Sequence, residues 1–519
     1  MRRGVRLFLL AFGAFFLAAS AWSFACPLGS PPDEPAHLIR AASLVRGQLV
    51  GRDLPGATQA QGSYVIVGVP EVFASLANDV ACFKRDPKIP AGCQAPLVPS
   101  PQDQSVESYV GRYPPLYYAI TGLPTLAFVS VGGVYAARLV SAALCALMLA
   151  LAVVSARRVP ERPLLPTGVA LGATPMVLYL GGALNPSGFE AACGVAAFAG
   201  AVALARLPLD ALTRADVARL GVPALCLMLV RALSPVWAVV AVAVLCLLRG
   251  WPATGALLRR RAVRAWLAAG GVAGALSLAW DFAAGGLRLQ PGMHVRPGTS
   301  ALGVAHLALD RLHLIAVSSI GLFGWLDTSS PYGVVAVWAL ATAALVAVAV
   351  VTGSGRERLA TLGTALAWAA FAYVFVLAMV PSHGLVGQGR DFLALAAGIP
   401  VVAGACSRPG GVAGGVGRGW RLAGAAVAVA FVGAQVADFY GTLRRYSVGT
   451  SGPMNAFAHV AGGWAPPVPG PVLVVCFTAG ALGAAMLCTT RGPGRAPSSP
   501  GGLLCAYPPR VGEEPVKLS

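Results

Sequence analysis

The chain is short of charge. Only 11% of its 519 residues are Asp, Glu, Lys or Arg, against about 25% in ordinary soluble domains. With 57% hydrophobic residues and a mean hydropathy of +0.72, that excludes a soluble globular protein and leaves a polytopic membrane protein. Acids are scarcer than bases, 20 against 38. In a soluble protein the net charge of +18 would point to nucleic acid, but here it follows the loops between apolar runs, and no nucleic-acid partner is expected. Reaction signatures are also missing: no CxxC pair, HExxH or close His/Cys cluster for zinc, and no Walker loop, GxSxG or dinucleotide fingerprint. ATP-driven chemistry is therefore not supported.

What the sequence does have is apolar runs of about 20 residues, the length that crosses a bilayer. They lie near 7–25, 134–155, 165–184, 188–205, 218–233, 235–249, 264–284, 333–352, 359–380, 391–406, 422–440 and 469–489. This predicts an all-α membrane protein of about 12 (11–13) transmembrane helices. Arg157, Arg158 and Arg162, then Arg214 and Arg219, Arg259 to Arg261 with Arg264, Arg356 with Arg358, and Arg408, Arg418 and Arg421 fall in alternate loops. By the positive-inside rule those loops, and both termini, are cytoplasmic. Residues 1–25 then form the first transmembrane helix, 26–133 a large first extracytoplasmic loop with surface helices, and 134–490 the transmembrane bundle. Residues 409–419 read as a Gly-rich linker and 491–519 as a disordered cytoplasmic tail. Arginine dominates lysine, which points to a GC-rich coding sequence and so to a bacterial inner, cytoplasmic membrane.

With that orientation all six histidines fall in outer loops, and Glu190, Asp281, Asp327, Asp391 and Asp438 fall at or near outer span ends. No acid is expected in mid-membrane. Arg138, Arg231 and Arg390 also sit at outer span ends, against the charge bias. Each needs a counter-ion, either a phosphate-bearing lipid or an acid such as Glu190 or Asp391. In the first loop, Pro31-Pro32-Asp33-Glu34-Pro35-Ala36-His37 opens a helical pattern carried by Leu38, Leu44 and Val45, with its acids in the first turn. Asp33 is either a functional acid or only the helix cap. Residues 115–130 read as an amphipathic helix on the outer surface, with its aromatic residues at head-group depth. Cys82 and Cys93 are placed to close a short disulfide.

Several ordered motifs then resemble a known family: Pro31 to His37 with Arg40-Ala41 and Gly47, Pro114-Pro115-Leu116-Tyr117-Tyr118, Asn185-Pro186, Phe323-Gly324-Trp325-Leu326-Asp327-Thr328, and Gly387-Gln388-Gly389-Arg390. Together, over about residues 7–440, they resemble a bacterial family of multispanning membrane proteins of unknown function, the DUF2142 type, allied to the GT-C glycosyltransferases. The resemblance implies a GT-C-like bundle. Its first outer loop would carry an essential acid, and the helices that follow would hold a polyprenyl-phosphate-linked sugar. Two positions depart from the family: Asp391 follows Arg390 where tyrosine is usual, and Ser187 stands where aspartate often follows Asn-Pro or Asn-Ala.

Moving a sugar off a lipid phosphate needs a carboxylate to deprotonate or orient the acceptor hydroxyl, and cationic stabilisation of the departing phosphate. The resemblance makes Asp33 the base, with Glu34 its catalytic partner. His37, Arg40, Arg138, Asn185, Arg231, Asp327 and Arg390 are the expected substrate-binding residues, since guanidinium forks match phosphate oxygens. No cofactor is certain; a divalent cation such as Mg or Mn, if needed, would fall to Asp33 and Glu34. Trp325 and Tyr332 suit either sugar stacking or the interfacial aromatic belt. The expected reaction is transfer on the outer face to a cell-envelope glycan, lipid or protein. The alternatives are a transporter or flippase of lipid-linked glycans and a non-catalytic scaffold for envelope assembly.

Overall fold

A computed structural model describes residues 2–55, 63–76, 82–97, 100–286, 295, 298–408 and 416–489. His294, the linker residues 409–415 and the tail expected from 491 lie outside the described residues.

Every apolar run becomes helix, but not every helix is a straight span. Helices α1 (Arg2–Ala25) and α2 (Glu34–Val45) are followed by a small sheet of β1 (Arg52–Asp53), β2 (Val65–Pro70) and β3 (Asp103–Ser108). Then come α3 (Leu116–Thr121), α4 (Leu123–Ala127), α5 (Val131–Arg157), α6 (Leu165–Gly172), α7 (Pro175–Gly181), α8 (Pro186–Arg206), α9 (Arg214–Val230), α10 (Ser234–Arg249), α11 (Trp251–Leu258), α12 (Arg261–Ala283) and α13 (Ala301–Gly321). A two-stranded turn, β4 (Leu322–Phe323) and β5 (Thr328–Ser329), leads into α14 (Tyr332–Thr352), α15 (Gly355–His383), α16 (Leu393–Cys406), α17 (Val416–Val448) and α18 (Gly470–Thr489).

Among the described residues nine helices are long and apolar enough to cross a membrane, or ten if α10 and α11, bent by 118°, count as one span. The expected span at 165–184 is broken between α6 and α7, where Pro175 removes a backbone donor and Thr174 caps the new start by accepting from Val177 N. The expected spans at 218–233 and 391–406 are the shorter helices α9 and α16. Helix α13 was not expected, and it takes His306 and His313 out of a loop. The end of α12 meets the first loop through Arg112, which donates to Ala284 O, and the turn after α13 meets it through Asp327, which accepts from Arg85 N.

The bundle centres on α8, which is buried along nearly its whole length. Its small residues allow that approach: a Cβ on Gly194 would stand 2.7 Å from Ala394 O, and one on Gly200 2.8 Å from Arg219 O. On one face of the bundle Arg162, Arg206 and Arg408 converge on the buried Glu357. The first loop covers the opposite face. Its sheet is antiparallel, with Val65, Val67 and Val69 turned into the core, and Cys82 and Cys93 are joined.

The surface-helix expectation for 115–130 is corrected. The segment is two short helices, and Tyr117 and Tyr118 are fully buried rather than at head-group depth. Tyr117 OH meets Ser141 Oγ at 2.8 Å and Tyr118 OH meets His37 Nδ1 at 2.8 Å; Leu123, Leu126 and Phe128 keep an exposed apolar face.

Candidate functional site

The loop entering α2 makes the site. Asp33 sits just before the helix in the left-handed region, φ 60°, and its side chain caps nothing. A non-glycine residue in this conformation is strained, and the strain aims the carboxylate away from the helix end. Asn185 holds the loop in place: its Oδ1 caps α8 through Ser187 N and its Nδ2 donates to Pro32 O at 2.9 Å. Asn185 is thus a buried positioning residue for Asp33.

Asp33 Oδ2 accepts from Arg390 Nη2 at 2.5 Å and Oδ1 from Tyr109 OH at 2.6 Å, with a quarter of the side chain exposed. Arg390 Nη1 also donates to Pro32 O. Burial pushes the Asp33 carboxyl up, but the adjacent Arg390 guanidinium more than offsets it and holds the group below its ordinary value. Burial drives the Tyr109 phenol far up, so it stays a donor.

Beside this pair runs a second one. Arg231 donates to Ser187 Oγ, Glu190 Oε2 and Asp391 Oδ1, each at 3.0 Å. Glu190 is held in turn by Ser234 Oγ and Trp237 Nε1. The acid after Arg390 therefore pairs with Arg231, and Arg390 is left to Asp33. Ser187 contributes a neutral acceptor to Arg231.

Other expected site residues are committed elsewhere. Glu34 is fully buried; its oxygens accept from Arg138 Nε and Nη2, Gly29 N and Leu184 N. Arg138 gives its remaining donors to the carbonyls of Ser23, Cys26 and Pro27. The pair closes α1, α2 and α5 together, so Arg138 has no N–H left for a phosphate and Glu34 no lone pair turned toward Asp33. A divalent cation shared by Asp33 and Glu34 does not fit this arrangement, and among the described residues no group of three His, Cys, Asp or Glu side chains could hold a metal.

Arg40 is buried under the loop and donates to the carbonyls of Leu49 and Tyr113. Asp327 Oδ2 accepts from Arg85 N and from the buried Arg445, which also gathers the carbonyls of Ile89, Phe83 and Asp86. It braces the disulfide loop. Trp325 lies under Lys84, whose Nζ is 3.4 Å from the ring centre, and donates to Gly29 O, so its ring is engaged within the fold; Tyr332 is 95% exposed at the start of α14. His37 lies one turn beyond Asp33, buried, and burial lowers its imidazole to about 3, so it is neutral.

The structure thus brings together Asp33, Arg390, Arg231, Asn185 and His37 and sets Glu34, Arg138, Arg40 and Asp327 into the frame. Tyr109 was missed; it lies in the bend just after the polar strand β3 with no spacing signal, and only its meeting with Asp33 marks it. A partly exposed carboxylate paired with Arg390, with Arg231 near that guanidinium, can accept a hydroxyl proton while an anion is held next to it.

Residues 15–399 match a family described as predicted membrane protein (DUF2142). No curated protein and no solved structure matches the chain.

Proposed function

The chain belongs to the DUF2142 family of membrane proteins, and we propose that it is a GT-C-like glycosyltransferase, moving a sugar from a polyprenyl-phosphate donor to a cell-envelope glycan, lipid or protein. The observation that carries the reading is the Asp33–Arg390 pair, a strained and reachable carboxylate with a guanidinium 2.5 Å away. Asp33 takes the proton of the acceptor hydroxyl as its oxygen attacks the sugar's C1. The bond from C1 to the phosphate oxygen breaks, its electrons stay on the phosphate, and Arg390, with Arg231 behind it, stabilises that charge. Inverting transfer of this kind needs one base, and Asp33 supplies it without Glu34.

The orientation supports this reading. The joined Cys82 and Cys93 suit an oxidising compartment, which supports a first loop outside the inner membrane, and the arginine cluster around Glu357 supports a cytoplasmic opposite face. The test is mass spectrometry of envelope glycans and polyprenyl-linked sugars in a deletion strain. Loss of one decoration with accumulation of its lipid donor is expected. An unchanged glycan and lipid pool would overturn the proposal.

A further inference from the structure

Asp438, expected at the outer end of a span, lies within the stretch of α17 that is long and apolar enough to cross a membrane. Helix α17 continues ten residues past it to Val448, about 15 Å at the helical rise. Its neighbour Phe439 stacks at 4.3 Å on Phe477, seven residues into α18 and so about 10 Å below that helix's outer start. Asp438 is buried; Oδ2 accepts from Ser330 Oγ at 2.9 Å, and Oδ1 is buried without a partner.

Gln435 and Thr442 lie on the same helical face, three before and four after Asp438. Both are buried, and Gln435 Oε1 and Thr442 Oγ1 also lack partners. Gln435 Nε2 donates to Ala173 O, in the break between α6 and α7. Across the helix, Trp22 packs its ring on Phe439 at 4.9 Å and leaves Nε1 unpartnered. Buried polar atoms carry partners almost everywhere in folded proteins, and a broken span beside an intramembrane acid is how membrane proteins build ion sites.

We propose that Asp438, flanked by Gln435, Thr442 and Ser330, is an intramembrane proton-binding site. The carboxyl O–H bond breaks with its electron pair kept on the carboxylate, and the proton leaves to water on the first-loop face. The groups around it leave the carboxyl free to do this. The first-loop side presents Ser330 and Asp327, and Asp327 is bound to Arg445, two turns along α17. The α6–α7 break offers the Ala173 carbonyl, α7 the Tyr179 hydroxyl, which accepts from Gly324 N, and α14 Trp338, which donates to Leu171 O. Helices α1 and α18 present Trp22 and Phe477. Among the described residues no cation pairs with Asp438. The inference goes beyond the transfer reading and does not rest on it.

The test is infrared titration of the full chain in lipid nanodiscs, following the carbonyl stretch of a protonated carboxyl. A band that titrates, is missing from Asp438→Asn and moves its midpoint to higher pH in Ser330→Ala is expected, since losing a donor to the carboxylate favours the protonated form. The Ser330→Ala arm stands even if Asp438→Asn does not fold. No Asp438 band at any pH, a band unchanged across the whole range, or a midpoint that follows sodium concentration would each overturn the proposal.

Discussion

Asp33 and Arg390 are 357 positions apart in sequence and 2.5 Å apart in space, and the geometry of that contact is set by neither residue alone. Asn185 holds Pro32 from below, Asp391 is drawn off to Arg231, and Glu34 is locked away on Arg138. Adjacent acids thus have opposite fates: Asp33 faces the site, and Glu34 holds up the fold.

That division predicts different phenotypes. Glu34→Gln leaves a buried Arg138 without its counter-charge, a loss of about 3–5 kcal/mol. Lower yield and a lower melting temperature in detergent are expected. Normal stability with lost activity would mean that Glu34 is catalytic after all.

Arg390→Ala is expected to weaken binding of a polyprenyl-phosphate sugar by roughly tenfold to a hundredfold, the worth of a charged hydrogen bond. Arg358→Ala, on the arginine-rich face, serves as control. Titration of the lipid donor against both purified variants decides it, and equal effects would remove Arg390 from the phosphate site.

His37 makes a prediction with a definite sign. Its imidazole falls from 6.5 to about 3 on folding because it is buried. Between those values the unfolded chain binds a proton that the folded chain does not, so stability is lost as pH falls through the window, by about 1.4 kcal/mol per pH unit. Thermal melts of His37→Gln are expected to show a shallower acid slope than the parent. Equal slopes would show that His37 is not held neutral.

The proposed sidedness, with the first loop outside, is open to a direct labelling test. An impermeant maleimide added to intact cells is expected to label Ser382→Cys and not Arg259→Cys, and to reach Cys82 and Cys93 only after reduction. The opposite labelling pattern would turn the protein over.

Much of this was legible in the sequence because hydropathy and charge are local. Each of the twelve apolar runs is helical, and the Pro-Pro-Asp start of α2 and the Cys82–Cys93 pairing could be read directly. Helix α13 was hidden because His306, Asp310, Arg311 and His313 interrupt its apolar run. Strand β1 has only two residues and β3 is polar, while β2, though apolar, is six residues long and far short of a span. What could not be read was pairing at long range. Nothing near Arg138 says that it closes on Glu34, nothing near Asp327 points to Arg445, and Asp391 reads as a partner for Arg390 until folding brings Arg231 beside it.

The most direct test of the central claim is complementation of the deletion strain by the parent chain or by Asp33→Asn, matched for membrane insertion, with the polyprenyl-linked sugar pool read by mass spectrometry. The account predicts that only the parent clears the accumulated donor, because losing a general base costs about a hundredfold to ten-thousandfold in rate. Full clearance by a well-inserted Asp33→Asn would contradict it, and with it the catalytic role of the Asp33–Arg390 pair.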